Sequence, residues 1–183
     1  MLARAADSVL VIIDFQERLA AAMSPQVRAG VLQNIRLLLE AATRLDVPTL
    51  VTEQYPKGLG PTAAQVAEVL PVSTPRFEKT CFSCVGAAPF LKALEESGRT
   101  QVILAGMEAH VCVLQSALDL RAVHQEVFVV EDACCSRNQQ HHANAIHRLR
   151  AAAVTVTNTE SVVFEWLRDA RHERFKAISS LLR

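Results

Sequence analysis

Five short runs of consecutive apolar residues restrict the fold of this chain more than any other feature of its sequence. They occupy residues 8–13, 48–52, 101–105, 126–130 and 153–157, and β-branched and aliphatic side chains dominate them. Runs that are apolar throughout, rather than at alternate positions, are typical of strands buried on both faces. We therefore predict a parallel sheet with helices covering both of its sides.

Helical patterns fill the segments between these runs. From Val27 to Leu45, apolar residues recur every three or four positions, which would give a helix one apolar face. Further helices are predicted at 63–70, 90–96, 113–123, 138–151 and 160–170, and a short sixth strand at 76–78. The alternation predicts an α/β fold, namely a three-layer α/β/α sandwich around a mostly parallel six-stranded sheet with the Rossmann-like order 3-2-1-4-5-6.

Length and composition favour a single globular domain spanning residues 1–183. Half of the residues are hydrophobic and 21% are charged, which is too apolar for a disordered chain. The 19 basic side chains balance the 19 acidic ones and form no basic stripe, which argues against a nucleic-acid partner. The longest aliphatic run, 9–13, is much shorter than a membrane helix, so no membrane association is expected.

The cysteines indicate a reducing environment. Five cysteines do not form an even disulfide framework, and the N-terminus does not resemble a secretory signal, so we expect a cytoplasmic protein with free thiols. Cys81 and Cys84 form a Cys-x-x-Cys motif that could be a redox pair, half of a zinc site or two separate thiols. The remaining ligands for zinc would be the adjacent pairs at 134–135 and 141–142, whose spacing fits a zinc site poorly.

The residues that follow the predicted strands are the candidates for chemistry. In an open parallel sheet, ligands bind beyond the carboxyl ends of the strands, where the strand order reverses. In the order 3-2-1-4-5-6 this point lies between the first and fourth strands. Asp14 follows the first of these strands and Cys112 follows the loop after the fourth, so the topology places them across one cleft.

Cys112 is predicted to lie at the N-terminus of the helix 113–123. Free backbone N–H groups and the helix dipole would favour the thiolate there, so we expect a lowered pKa and the most reactive of the five thiols. The alternative is a buried structural cysteine.

Asp14 and Lys79 each have two interpretations. Asp14 is either a base for a nearby nucleophile or a cap that organises the start of a helix. Lys79 is either an exposed surface cation or, because Phe77 and Phe82 flank it, part of a buried segment.

Three segments together resemble a known family. They resemble the signature segments of the isochorismatase-like cysteine hydrolases, and they are Asp14-Phe-Gln, Glu-Lys79-Thr-Cys-Phe-Ser and Gly-Met-Glu-Ala-His-Val-Cys112-Val. Segments 52–61 and 132–136 resemble most the branch called isochorismatase domain-containing proteins. The resemblance implies a catalytic triad of Asp14, Lys79 and Cys112. It also implies a cis peptide before Glu108, whose N–H would join that of Cys112 in an oxyanion hole.

Two departures from the family narrow the expected chemistry. Nicotinamidases carry an Asp-x-His…His metal site after the second strand, whereas this chain has Glu53-Gln54-Tyr55 there and no histidine. We therefore expect no metal and no other cofactor, and we do not expect nicotinamide as the substrate. Isochorismatases lack the nucleophilic cysteine, so Cys112 argues against vinyl-ether hydrolysis.

The resulting hypothesis is a cysteine hydrolase that cleaves a small amide or amide-like C–N bond through a thioester. The predicted walls of its substrate pocket are Phe15, Gln54, Tyr55 and Phe82. One alternative is a weak or inactive family member that acts as a protein-interaction module, and another is a redox protein that uses Cys81 and Cys84. The apolar helix faces and the family resemblance also predict a homo-oligomer.

Overall fold

The structure, a computed structural model, describes residues 1–123 and 125–182; His124 and Arg183 lie outside this description. Its centre is a six-stranded sheet in which every neighbouring pair is parallel and the order is β3-β2-β1-β4-β5-β6. The strands are β1 Ser8–Ile13, β2 Thr49–Gln54, β3 Arg76–Lys79, β4 Gln101–Met107, β5 Glu126–Cys135 and β6 Thr155–Thr157. The predicted fold class and strand order are therefore confirmed.

Helices connect the strands. They are α1 Glu17–Ala21, α2 Pro25–Arg44, α3 Pro56–Leu59, α4 Ala64–Ala67, α5 Ala88–Glu96, α6 Leu114–Ala122, α7 Gln139–Ala151, α8 Thr159–Leu167 and α9 Phe175–Ser179. A π-helical turn, Ala109–Val113, precedes α6. The short helices α1 and α3 were not predicted, and no helix of the described residues is both long and apolar enough to cross a lipid bilayer.

Two hydrophobic cores lie on opposite faces of the sheet. Leu10 and Ile12 of β1 contribute to the core beneath α2, α8 and α9, whereas the alternate residues Val9, Val11 and Ile13 contribute to the core beneath α5, α6 and α7. Because successive side chains of a strand point to opposite faces, a strand covered on both sides is apolar at every position. This explains why the sequence of β1 is a continuous apolar run.

Gly106 allows β1 and β4 to approach closely at the edge where the site lies. It is paired with Ile13, has φ +121°, and a Cβ atom built on it would lie 2.0 Å from the Ile13 carbonyl oxygen. Only glycine fits such a contact in this conformation. The approach brings the end of β1 next to the loop that carries Cys112.

Candidate active site

Asp14 lies immediately beyond β1 and is completely buried. Its backbone adopts the left-handed region with φ +49°, a conformation that aspartate tolerates better than most residues. Its Oδ1 accepts a hydrogen bond of 2.7 Å from the Thr52 hydroxyl, and its Oδ2 lies 2.7 Å from Lys79 Nζ. The carboxylate therefore binds side chains of β2 and β3 and does not cap a helix.

Lys79, the last residue of β3, forms a buried ion pair with Asp14. Neither side chain is exposed at all, so the interpretation of Lys79 as a surface cation is wrong. Its ammonium also lies 2.7 Å from Gln54 Oε1 and within 3.0 and 3.3 Å of the carbonyl oxygens of Phe82 and Cys81. A buried ammonium needs several hydrogen-bond partners, because a buried charge without partners strongly destabilises the folded protein.

Cys112 is buried in the π-helical turn, one residue before the end of that turn, and it belongs to the core beneath α6. Its thiol is close enough to Asp14 and Lys79 for both charges to act on it. The structure therefore brings together the three residues that the resemblance implies.

The pKa of Cys112 corrects an expectation from the sequence. Burial, assisted by the charge of Asp14 and opposed by that of Lys79, raises the pKa of this thiol to about 12. The prediction of a lowered pKa is therefore wrong, since burial outweighs any favourable effect of a helix N-terminus. At neutral pH the resting residue is a neutral thiol.

This raised pKa predicts a pH-dependent stability. The neutral thiol is favoured in the folded protein, so its stabilising effect is complete below about pH 9 and decreases as the pH rises towards 12. The unfolding free energy of the wild type, relative to that of Cys112→Ser, should fall by about 1.4 kcal/mol per pH unit in that range. Urea unfolding of both proteins at pH 8, 9 and 10 measures the difference between their unfolding free energies. A difference that stays constant over these pH values would contradict the prediction.

The loop between β4 and the π-helical turn is anchored by Glu108. The peptide bond between Met107 and Glu108 is cis, as the resemblance implies. The buried Glu108 carboxylate accepts hydrogen bonds from the backbone N–H and the Nε of Arg137, at 2.9 and 3.0 Å. His110 Nδ1 lies 2.9 Å from the Ser136 hydroxyl. These contacts connect the loop to the segment that follows β5.

The four residues predicted as a pocket wall occupy different environments. Tyr55 and Phe82 are about half exposed, and Tyr55 lines a cavity of about 370 Å³ together with Lys79 and Thr80. Gln54 is partly buried and its side-chain oxygen and nitrogen both have protein partners. Phe15 is only 1% exposed and packs in the core beneath α2. The structure thus places Phe15 in one core and Cys112 in the other.

Three residues of the site escaped the sequence analysis. Thr52 holds Asp14, Arg137 holds Glu108, and Gln16 is completely buried against Gln54. For Gln16 a signal existed, because it belongs to the segment Asp14-Phe-Gln that resembles a family signature, three residues after the end of β1. Thr52 and Arg137 have ordinary neighbours in the sequence and gave no signal.

The remaining cysteines and carboxylates do not form a second centre. All five cysteines are free; Cys81 is exposed, whereas Cys84 is buried. Within residues 1–123 and 125–182, no three His, Cys, Asp or Glu side chains gather in a way that could hold a metal ion. The Glu53 carboxylate, on β2, accepts hydrogen bonds from the backbone N–H and hydroxyl of Thr62 at 2.7 and 2.6 Å.

Comparisons with known proteins agree with the fold and identify the family. The profile of the Isochorismatase domain matches residues 8–161. Mouse isochorismatase domain-containing protein 2A is 38% identical over 183 aligned residues, which cover 96% of this chain and 82% of that protein.

Two solved structures show the same architecture over nearly the whole chain. The MAR1 ribonuclease of Caenorhabditis elegans is 35% identical with a TM-score of 0.93, covering 100% of this chain and 92% of that one. YcaC of Pseudomonas aeruginosa, described with hexane-2,5-diol and covalent acrylamide, is 27% identical with a TM-score of 0.89 and covers 98% and 91%. The chain described here therefore belongs to the isochorismatase-like hydrolase family.

Proposed function

We propose that this protein is a cysteine hydrolase that cleaves a small amide or amide-like C–N bond through a thioester intermediate. One observation carries the proposal: a fully buried Lys79–Asp14 ion pair acts on the buried thiol of Cys112 at the point where strand order reverses. Burying two charges is expensive and contributes little net stability compared with apolar packing. Such a pair beside a nucleophile is typical of a catalytic site.

In the first half of the proposed reaction the thiol attacks the substrate carbonyl. Asp14 accepts the proton of Cys112 as the sulfur–carbon bond forms, which explains how a thiol of high pKa reacts at neutral pH. The backbone N–H groups of Glu108 and Cys112 stabilise the oxyanion. Asp14 then donates the proton to the leaving nitrogen, and the C–N bond breaks to release an amine or ammonia and leave a thioester.

In the second half the same carboxylate activates water. Asp14 takes a proton from the water, the hydroxyl oxygen attacks the thioester carbonyl, and the carbon–sulfur bond breaks. The carboxylic acid product leaves and the proton returns to the Cys112 sulfur. Lys79 keeps Asp14 in place and balances its charge throughout, and no step needs a metal or another cofactor. We further propose Tyr55 and Phe82, which are exposed near Lys79, as the wall that selects the substrate.

The similar structures suggest which substrates to test first. YcaC of P. aeruginosa is described with covalent acrylamide. Acrylamide bonds to a nucleophile through its vinyl carbon and keeps its amide, so it supports a reactive nucleophile that a small amide can reach, and small amides are the first class to test for this chain. The C. elegans structure is named a ribonuclease, so RNA cleavage is the second candidate. Against it, the ammonium of Lys79 is fully buried, and the chain has no net positive charge to bind a phosphate backbone.

Trapping the thioester tests the proposal. The protein is incubated with a panel of small amides, quenched in acid and measured by intact mass and peptide mapping. We expect an acyl adduct on Cys112 that is absent from Cys112→Ser. A labelled single-stranded RNA is incubated in parallel, and cleavage that survives in Cys112→Ser would contradict the proposal. If no amide gives an adduct or releases ammonia or amine, the interpretation as an interaction module is favoured instead.

A further inference from the structure

The side-chain amide of Gln16 pairs with the backbone of Gln54 as a neighbouring strand would. Gln16 Oε1 accepts from the Gln54 N–H at 2.7 Å, and Gln16 Nε2 donates to the Gln54 carbonyl oxygen at 3.0 Å. The same Nε2 donates to the Gly60 carbonyl oxygen at 2.6 Å. With these bonds the amide is completely buried and fully paired, and it fixes the backbone at the end of β2.

The loop that faces Gln54 is held by a second set of contacts. Glu53 Oε1 accepts both the N–H and the hydroxyl of Thr62, and Gln16 also forms an antiparallel bridge with Thr62. The end of β2 and the loop 60–62 therefore form one hydrogen-bonded unit with Gln16 at its centre.

From this unit the side chain of Gln54 reaches to Lys79, its register partner on β3. Gln54 Oε1 lies 2.7 Å from Lys79 Nζ, and Gln54 Nε2 donates to the Thr80 carbonyl oxygen at 2.7 Å. The amide plane of Gln54 is thus fixed at both ends. Its oxygen is thereby held in a fixed position beside the ammonium.

The ammonium of Lys79 has no donor left for a substrate. It has three N–H bonds and four acceptors within hydrogen-bond distance, on Asp14, Gln54, Cys81 and Phe82. Lys79 therefore acts through Asp14 and the neighbouring thiol, and its effect depends on how accurately its partners hold it.

We propose that Gln16 and Gln54 are positioning residues for the Asp14–Lys79 pair, with Gln16 acting through Gln54. This inference rests on the proposed hydrolase function. It also reassigns Gln54, which the sequence analysis placed in the substrate wall.

The test uses Gln16→Met, Gln54→Met and the double variant of the full-length protein. Each single variant should lower kcat about tenfold with little change in KM, because a misplaced catalytic group affects the chemical step. In the Gln54→Met background, Gln16→Met should lower kcat by no more than about twofold further, because the residue through which it acts is already gone. If Gln16→Met does not fold, Gln54→Met alone decides whether the ammonium needs its amide acceptor.

Gln101→Met is the matched control. Gln101 is also a completely buried glutamine with bonds to the backbone N–H of Arg4 and to Glu126, but it lies at the opposite end of the sheet, at the start of β4. The loss of the Gln101 amide should lower the thermal stability of the protein and leave kcat unchanged. A comparable fall of kcat in Gln101→Met would mean that general destabilisation explains the effect, and the proposal would be wrong.

A second readout does not depend on turnover. Lys79 lowers the pKa of Cys112, so displacing the ammonium should slow alkylation of Cys112 by iodoacetamide about threefold in Gln16→Met and Gln54→Met. If the wild type cleaves no amide but these rates fall, the proposed function fails and the positioning role stands. Three results would each overturn the inference. The first is that kcat and the alkylation rate stay unchanged, and the second is that Gln54→Met affects KM alone. The third is that the losses of kcat in the double variant multiply as independent effects.

Discussion

Replacing Cys112 with serine is expected to lower kcat for the best amide substrate by at least about 10³-fold, because the nucleophile that forms the covalent intermediate is lost. The serine hydroxyl is a much weaker nucleophile, and the Asp14–Lys79 pair is arranged around a thiol. Steady-state release of ammonia or amine measures the change. The acyl adduct should disappear from Cys112→Ser at the same time.

Cys134→Ser is the control for this substitution. Cys134 is also a buried thiol, and burial likewise raises its pKa, but it lies on β5, and the carboxylate charges that act on it belong to its sequence neighbours Asp132 and Glu131. The variant should keep kcat within about twofold, since no catalytic group changes. Turnover that persists in Cys112→Ser, or that is lost equally in both variants, would show that Cys112 is not the nucleophile.

Replacing Lys79 with methionine should give the largest combined effect on stability and activity. The change leaves the carboxylate of Asp14 buried without its cation, and breaking a buried ion pair from one side costs about 3–5 kcal/mol. Turnover should fall by about 10²-fold or more, because the balancing charge for the proton transfers is gone. Denaturant unfolding and steady-state kinetics measure the two effects separately.

The double variant Asp14→Asn/Lys79→Met separates these two roles. Removing both charges together should recover most of the lost stability, because no unpaired charge stays buried, while turnover should remain absent. Lys92→Met provides the control, since the Lys92–Glu96 pair is highly exposed and contributes at most about 1 kcal/mol. If Lys79→Met is as stable as Lys92→Met, the interpretation of a buried, charged pair is wrong.

The sequence predicts the fold well because the sheet is covered on both faces. Strand β1 has the predicted bounds, and the continuous apolar run that reveals it is the direct result of packing on both sides. Strand β5 continues to Cys135, beyond the predicted end at residue 130, because pairing with β4 resumes after a register shift between Leu104 and Gly106. Glu131 and Asp132 interrupt the apolar run at this point, so the continuation of the strand has no continuous apolar signature.

The placement of Phe15 shows where sequence periodicity stops being informative. Ile13 belongs to the core beneath α6, and strict alternation would return Phe15 to that side. The left-handed conformation of Asp14 interrupts the alternation, and Phe15 joins the core beneath α2 instead. A single backbone angle thus decides which side of the sheet the aromatic ring occupies.

The raised pKa of Cys112 could not be predicted from the sequence for a different reason. The position in the chain indicates a helix N-terminus, but the pKa depends on how much water the folded protein leaves around the sulfur. The pKa also depends on the charges of Asp14 and Lys79, which are distant from Cys112 in the sequence. The hydrogen-bond partners of Gln16 are also distant in the sequence, at residues 54 and 60, so the role of its buried amide can be recognised only in the folded structure.

The residues of the proposed site differ in how deeply they are buried, and this has an evolutionary consequence. Asp14 and Lys79 are fixed at strand ends by buried bonds, whereas Tyr55 and Phe82 stand half exposed on the loops beyond β2 and β3. Lys79 binds the backbone carbonyl oxygen of Phe82, which a substitution of the ring retains. We therefore expect substitutions of the two aromatic side chains to leave the ion pair in place, so that descendants of a duplicated gene could exchange one substrate for another while retaining the proposed chemistry. Libraries randomised at residues 55 and 82 are accordingly the shortest route to new specificities on this scaffold.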